Sequence, residues 1–127
     1  MTLVPVEKLH TVWEWVEKGL YEIRNKGRQS WLPADVYVQL RHKAALLFVI
    51  EDAGFLIFQI LPGDDFRGVL HIWCAWGDLK PHEQTLYQEI DAYAKTLGVA
   101  RIRVYGRKGW GRRGWVKLTG YVFEREV

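Results

Sequence analysis

The sequence predicts one α/β domain: a mixed, twisted sheet of about five strands led by two helices, with one long crossover helix between later strands. Three observations carry this reading. Two apolar stripes with helical spacing occupy residues 5–40, and short apolar runs separated by turn residues fill 44–76. A second helical stripe over 81–97 then sits between two strand-like runs, which is the pattern of a βαβ unit joined by a right-handed crossover.

The first helix opens near Pro5, a favoured opening residue, and Leu9, Val12, Trp13, Val16, Leu20 and Ile23 follow on one face. Gly27 and the polar residues after it end the helix. A second, shorter helix starts around Pro33, with Val36, Tyr37 and Leu40 as its apolar stripe. Residues 44–50 are too densely apolar for a one-faced helix and read as a buried strand. The turn Glu51-Asp52-Ala53-Gly54 leads to a second strand at 55–61, a hairpin by its spacing. After Pro62-Gly63-Asp64-Asp65 comes a third strand, 69–76, where Leu70, Ile72, Cys74 and Trp76 alternate with His71, Trp73 and Ala75. Pro81 opens the long helix, lined by Leu86, Ile90, Tyr93, Ala94 and Leu97, and Gly98 stands where a left-handed cap belongs. Residues 99–105 form a fourth strand. Four glycines make 106–119 a loop or short broken helix, and 121–127 a last strand.

At 127 residues the chain has the length of one domain, and a 49% apolar composition supplies a continuous core. One cysteine, Cys74, excludes an internal disulfide framework. The N-terminus lacks the basic-then-apolar pattern of a signal peptide, and no apolar run approaches the roughly 20 residues of a membrane span. The expected location is the cytoplasm, with no membrane partner. Charge is uneven: residues 1–94 hold nine Lys/Arg against 13 Asp/Glu, a net −4, whereas residues 95–127 hold nine against two, a net +7. A basic final third suits a phosphate-bearing or acidic partner, or a solvated face.

The basic residues of that third interleave with aromatics. Arg107, Lys108, Arg112 and Arg113 flank Trp110 and Trp115, a combination suited to phosphate and base contact with a nucleotide cofactor, nucleic acid or an acidic protein. The alternative is that the tryptophans fill the core. Gly109 to Gly114 matches G-x-G-x-x-G, yet too few residues follow for the helix, strand and acidic residue of a dinucleotide fold. His10, His42, His71 and His82 show no metal-ligand spacing, so no metal is expected. Cys74, on an apolar strand face, reads as a small hydrophobe. Trp13 and Trp15, two apart on a helix, cannot share a face; one is left for solvent, a partner or a second copy of the chain.

The order of elements resembles the core of the GNAT N-acyltransferase fold without its first and last strands. The run Gly106-Arg107-Lys108-Gly109-Trp110, with Leu118-Thr119-Gly120-Tyr121 and the preceding Ala94-Lys95-Thr96-Leu97-Gly98, is similar to small GNAT-like proteins of tailed bacteriophages and prophages. The resemblance implies acetyl-CoA or CoA as cofactor and an amine as acceptor. Cys74, Ala75, Trp76 and Gly77 would line the pantetheine arm, and Arg107 and Lys108 would meet phosphate. Trp110, Arg112 and Arg113 would touch phosphate or a partner, with His71, Tyr105 and Tyr121 as candidates for proton transfer. Two positions depart from the family pattern. Residues 75–82 do not match the loop Arg/Gln-x-x-Gly-x-Gly/Ala that cradles pyrophosphate, and Val116 stands where the family's acidic tyrosine falls, four residues before Gly120. A non-catalytic binding, virion or assembly protein that kept the fold is therefore the alternative to a phage-encoded acyltransferase.

Overall fold

The computed structural model describes residues 1–27, 29–63, 66–105, 116–119 and 122–127. Its described residues form two compact units that interleave along the chain, Met1–Phe58 with Cys74–His82, and Gln59–Trp73 with Glu83–Val127.

In the first unit, β1 (Thr2–Leu3) is a strand only by its pairing. It runs antiparallel to β2 (Ala45–Ile50), with Thr2 opposite Val49 and Leu3 opposite Phe48, and the Val4 N–H donates to the Leu47 carbonyl at 2.9 Å. A short 3₁₀ turn, Val6–Lys8, leads into α1 (Leu9–Lys26), whose buried face is Leu9, Val16, Gly19 and Leu20. The spacing of those residues places them along one side of the helix. Helix α2 (Pro33–Arg41) begins on a proline whose missing N–H costs nothing there, and the Asp35 carboxylate accepts from the Leu32 N–H at 2.7 Å. Trp13 meets Tyr37 edge-on at 4.8 Å, which joins the two helices. A turn at 51–53, with Asp52 at φ +58, carries the chain into β3 (Gly54–Leu61). Strand order in this unit is β1-β2-β3-β4, where β4 is Val69–Gly77. Phe55, Ile57 and Phe58 have no exposed surface, as expected of a central strand covered on both faces.

In the second unit β4 pairs parallel with β5 (Arg101–Tyr105), in a register running from Val69↔Arg101 to Ile72↔Val104. Helix α3 (Glu83–Leu97) makes the crossover and buries Leu86, Ile90 and Ala94. Gly98 ends it at φ +74, its N–H donating to the Lys95 carbonyl at 3.1 Å, the predicted left-handed cap. Strand β7 (Val122–Glu126) lies antiparallel between β5 and β6 (Val116–Thr119), giving the order β3-β4-β5-β7-β6.

The sequence therefore predicts the class and the parallel crossover correctly and undercounts the strands. Among the described residues seven strands stand in the sheet rather than about five, beginning with β1 at Thr2–Leu3. The two short strands β1 and β6 carry too few residues for a period-2 pattern to register; pairing defines them, not propensity. Residues 116–119, expected in a loop or short helix, are strand β6, while 106–115 lie outside the described residues. All of Val69, Leu70, His71 and Ile72 are buried, so both faces of β4 are covered there and His71 is 4% exposed.

Candidate functional site

Among the described residues the register with β5 runs as far as Ile72↔Val104, whereas β4 continues to Gly77. Along that continuation Cys74 is buried, Trp76 is half-buried, and Ala75 and Gly77 are exposed. Burial pushes the Cys74 thiol up to about 12, so it stays protonated and inert near neutral pH.

Side chains of the first unit hold this end of β4 in place. The Trp76 ring stacks on Phe55 at 5.4 Å, and Trp15 meets both edge-on, at 5.5 Å from Trp76 and 5.6 Å from Phe55. Trp15 keeps 36% of its surface exposed, as the predicted misfit of Trp13 and Trp15 on one helix face requires. The Trp76 Nε1–H donates to Glu22 Oε2 at 2.6 Å, tying the strand end to α1. Gly19 lies beneath the pair: a methyl group there would come within 2.6 Å of Phe55 and 2.7 Å of Trp76. Across the β3–β4 pair, Gly54 and Gly77 let two backbones touch. A side chain at Gly77 would run into the Ala53 carbonyl, which also accepts from the Asp78 N–H at 3.1 Å.

After Gly77, at φ +110, the chain turns through Lys80–His82 into α3. Pro81 has no amide proton, and the His82 N–H is spent on the Leu79 carbonyl at 3.0 Å. Within residues 77–82 the Asp78 and His82 amides are thus spent on main-chain carbonyls and Pro81 has none, while the exposed Lys80 adds a positive charge.

In the second unit a charged row crosses three strands. His71 on β4 is in register with Arg103 on β5, and Arg103 with Glu124 on β7. Glu124 is buried at 7% exposure and accepts from Arg103 Nε at 3.0 Å and from Arg101 Nη1 at 3.3 Å. Burial holds the His71 pKa down at about 4; the Arg103 charge lowers it further and a backbone hydrogen bond to Arg103 partly offsets both. His71 is therefore neutral and weakly basic at pH 7.

The residues singled out from sequence fall in different places. Cys74, Ala75, Trp76 and Gly77 lie together on the β4 end in the first unit, and His71 in the second. Tyr105 ends β5. Arg107, Lys108, Trp110, Arg112, Arg113 and Tyr121 lie outside the described residues. Among the described residues no group of three or more His, Cys, Asp or Glu side chains is placed to hold a metal. Sequence reasoning missed Gly19 and Glu22, whose partners are far away in the chain, and the trio Arg101, Arg103, Glu124. The signal for the trio was there: arginines two apart in a five-residue strand mark one polar face.

A parallel β4–β5 pair bridged by α3, a strand β4 that among the described residues outlasts it, and an antiparallel β5-β7-β6 end define a GNAT-like fold. Comparison with solved structures agrees. A ribosomal-protein-alanine N-acetyltransferase from Brucella melitensis matches at TM-score 0.58 and 13% identity, over 94% of each chain. A GNAT-family acetyltransferase from Listeria monocytogenes matches at TM-score 0.50 and 16% identity, over 98% of this chain and 91% of that one. The AtaT-AtaR complex bound to DNA contains a chain matching at TM-score 0.50 and 10% identity, over 72% of this chain and 73% of that one. No protein-family model and no curated protein matches by sequence.

Proposed function

We propose that the protein is a GNAT-like acyl-CoA-binding domain that transfers an acyl group to an amine, with the end of β4 as its cofactor edge. The observation behind this reading is the run of β4 past Ile72, with Ala75 and Gly77 exposed on it. Past Ile72, β4 keeps β3 on one side, and on its other side the described residues give it no ladder partner, so main-chain donors and acceptors there can pair with an extended diamide such as pantetheine. Bound there, acyl-CoA would supply a thioester-activated acyl group. The chain's own part is to hold the β4 backbone rigid through Trp76, Phe55 and Glu22 and to keep Cys74 protonated beside it. Arg107 and Lys108 are the proposed phosphate contacts, since the Asp78 and His82 amides are already bonded and Pro81 has none. Trp110, Arg112 and Arg113 are proposed to meet phosphate or a partner, and Tyr105 and Tyr121 join His71 as proton-transfer candidates. The sequence likeness around 94–98, 106–110 and 118–121 supports a phage or prophage origin.

Titration with CoA and acetyl-CoA tests this directly. Binding at 100 times Kd should stabilise the fold by about 2.7 kcal/mol, seen as a rise in Tm. A Tm unmoved by millimolar CoA overturns the reading. Two observations favour a second reading, a non-catalytic binding or assembly protein: the mismatch of residues 75–82, with Asp78 and His82 amides already bonded, to the family's loop, and Val116 at the position of the family's acid. It predicts CoA-independent behaviour, or CoA binding with no release of free thiol in the presence of amines.

A further inference from the structure

Trp15, Gly19 and Glu22 stand at i, i+4 and i+7 on α1, so one side of the helix presents an indole, a gap and a carboxylate. Rings from β3 and β4 fill the gap: a methyl group on Gly19 would come within 2.6 Å of Phe55 and 2.7 Å of Trp76. Trp76 touches both of the larger residues in that stripe. Its indole Nε1–H donates to Glu22 Oε2 at 2.6 Å, and its ring meets Trp15 edge-on at 5.5 Å. Trp76 itself lies on β4 between the exposed Ala75 and Gly77, in the same unit.

Glu22 is held differently from Glu124 and Asp91. Those two meet arginines, whereas Glu22 meets a neutral donor that orients its carboxylate without balancing its charge. Among the described residues no ion pair joins Glu22 to Lys18 or Lys26, the cations one turn away on the same helix. A glutamine amide could accept the indole N–H equally well; only a carboxylate adds charge. Beside it Trp15 leaves 36% of its surface in solvent. An oriented carboxylate next to an exposed indole suits an organic cation. The charge pairs with an ammonium group, and the ring attracts the cation and covers its alkyl carbons.

We propose that Glu22, oriented by Trp76 and bordered by Trp15, binds the ammonium group of an acceptor that carries two amines. An alkylammonium, protonated well above neutral pH, has no lone pair to attack with, so the group held at Glu22 is not the one acylated. The second amine, neutral, forms the new C–N bond as the thioester C–S bond breaks, and the proton it loses ends on the released thiol. As the acceptor's seat this site rests on the acyl-transfer reading; as a cation site it stands without it.

The test is an NMR titration of the Trp15 and Trp76 indole N–H signals with 1,4-diaminobutane at constant ionic strength, with 1,4-butanediol as the uncharged control. The diamine should shift both signals saturably and the diol should not. Glu22→Gln keeps an acceptor for the indole and should weaken diamine binding roughly tenfold, with any CoA-induced rise in Tm unchanged. Glu14→Gln, at an exposed charge on the same helix, should leave the affinity as it was. Shifts that never saturate or that the diol reproduces sink the cation site, as does an equal loss in both variants. With acetyl-CoA present, thiol release should be roughly tenfold faster with the diamine than with 1-aminobutane, and Glu22→Gln should erase that preference. A CoA-induced rise in Tm without diamine shifts refutes this site and leaves the acyl-CoA reading standing. Diamine binding at Glu22 without any CoA response refutes the acceptor role and that reading together. Should Glu22→Gln fail to fold, the diamine and diol comparison on the native protein decides alone.

Discussion

His71 couples a single side chain to the acid response of the fold. In the unfolded chain its imidazole takes a proton near 6.5, and in the folded protein only near 4, because burial penalises the cation and Arg103 repels it. Between those values the unfolded state holds a proton that the native state does not. Stability is complete above pH 6.5 and falls as pH drops toward 4, by about 1.4 kcal/mol for each pH unit crossed. Below 4 both states are protonated and the dependence ends. Urea unfolding at pH 7 and pH 5 should show this loss, and His71→Gln should remove most of it; an unchanged slope in the variant would assign the effect elsewhere. The sequence places His71 on the right strand but does not announce its burial. Its burial follows from covering both faces of β4, which a period-2 reading cannot anticipate where the run is apolar throughout.

At the scale of elements, the end of β4 depends on glycines that bring backbones together. Gly77 combines φ +110 with a Cβ position already taken by the Ala53 carbonyl, whereas Gly98, at φ +74, has open space around it. Gly98→Ala should cost about 1 kcal/mol, the strain of a left-handed alanine. Gly77→Ala should cost clearly more, because β3 and β4 must also separate. Chemical denaturation of both variants checks the order. Equal costs would mean that the Ala53–Gly77 approach relaxes easily. The two glycines also differ in how they announce themselves. Gly98 follows a helical stripe and was legible as a cap from its neighbours alone. Gly77 owes its role to residues 53 and 54, and the Glu22–Trp76 bond joins residues 54 apart; one-dimensional spacing carries no trace of either. The candidate cofactor edge was thus readable as a strand end, while what holds it in shape was not.

Across the whole molecule, both boundaries between the units within the sheet fall inside strands, at Phe58/Gln59 in β3 and Trp73/Cys74 in β4. Strands β3 and β4 each begin in one unit and end in the other, so unfolding should be one transition. Tryptophan fluorescence and far-UV circular dichroism should give the same urea midpoint; two separated midpoints would contradict this. The class and the parallel crossover were visible in the sequence because apolar periodicity records them directly. The interleaving was not, since it is a property of contacts and leaves no shift in composition at 58 or 73. It has a consequence during synthesis. The first unit has all its residues once His82 leaves the ribosome, but residues 59–73 emerge well before the α3 and β5–β7 segments they belong with. At about 5–20 residues per second, Val69, Leu70 and Ile72 wait a few seconds for their neighbours. Until then these three apolar side chains go without their native cover.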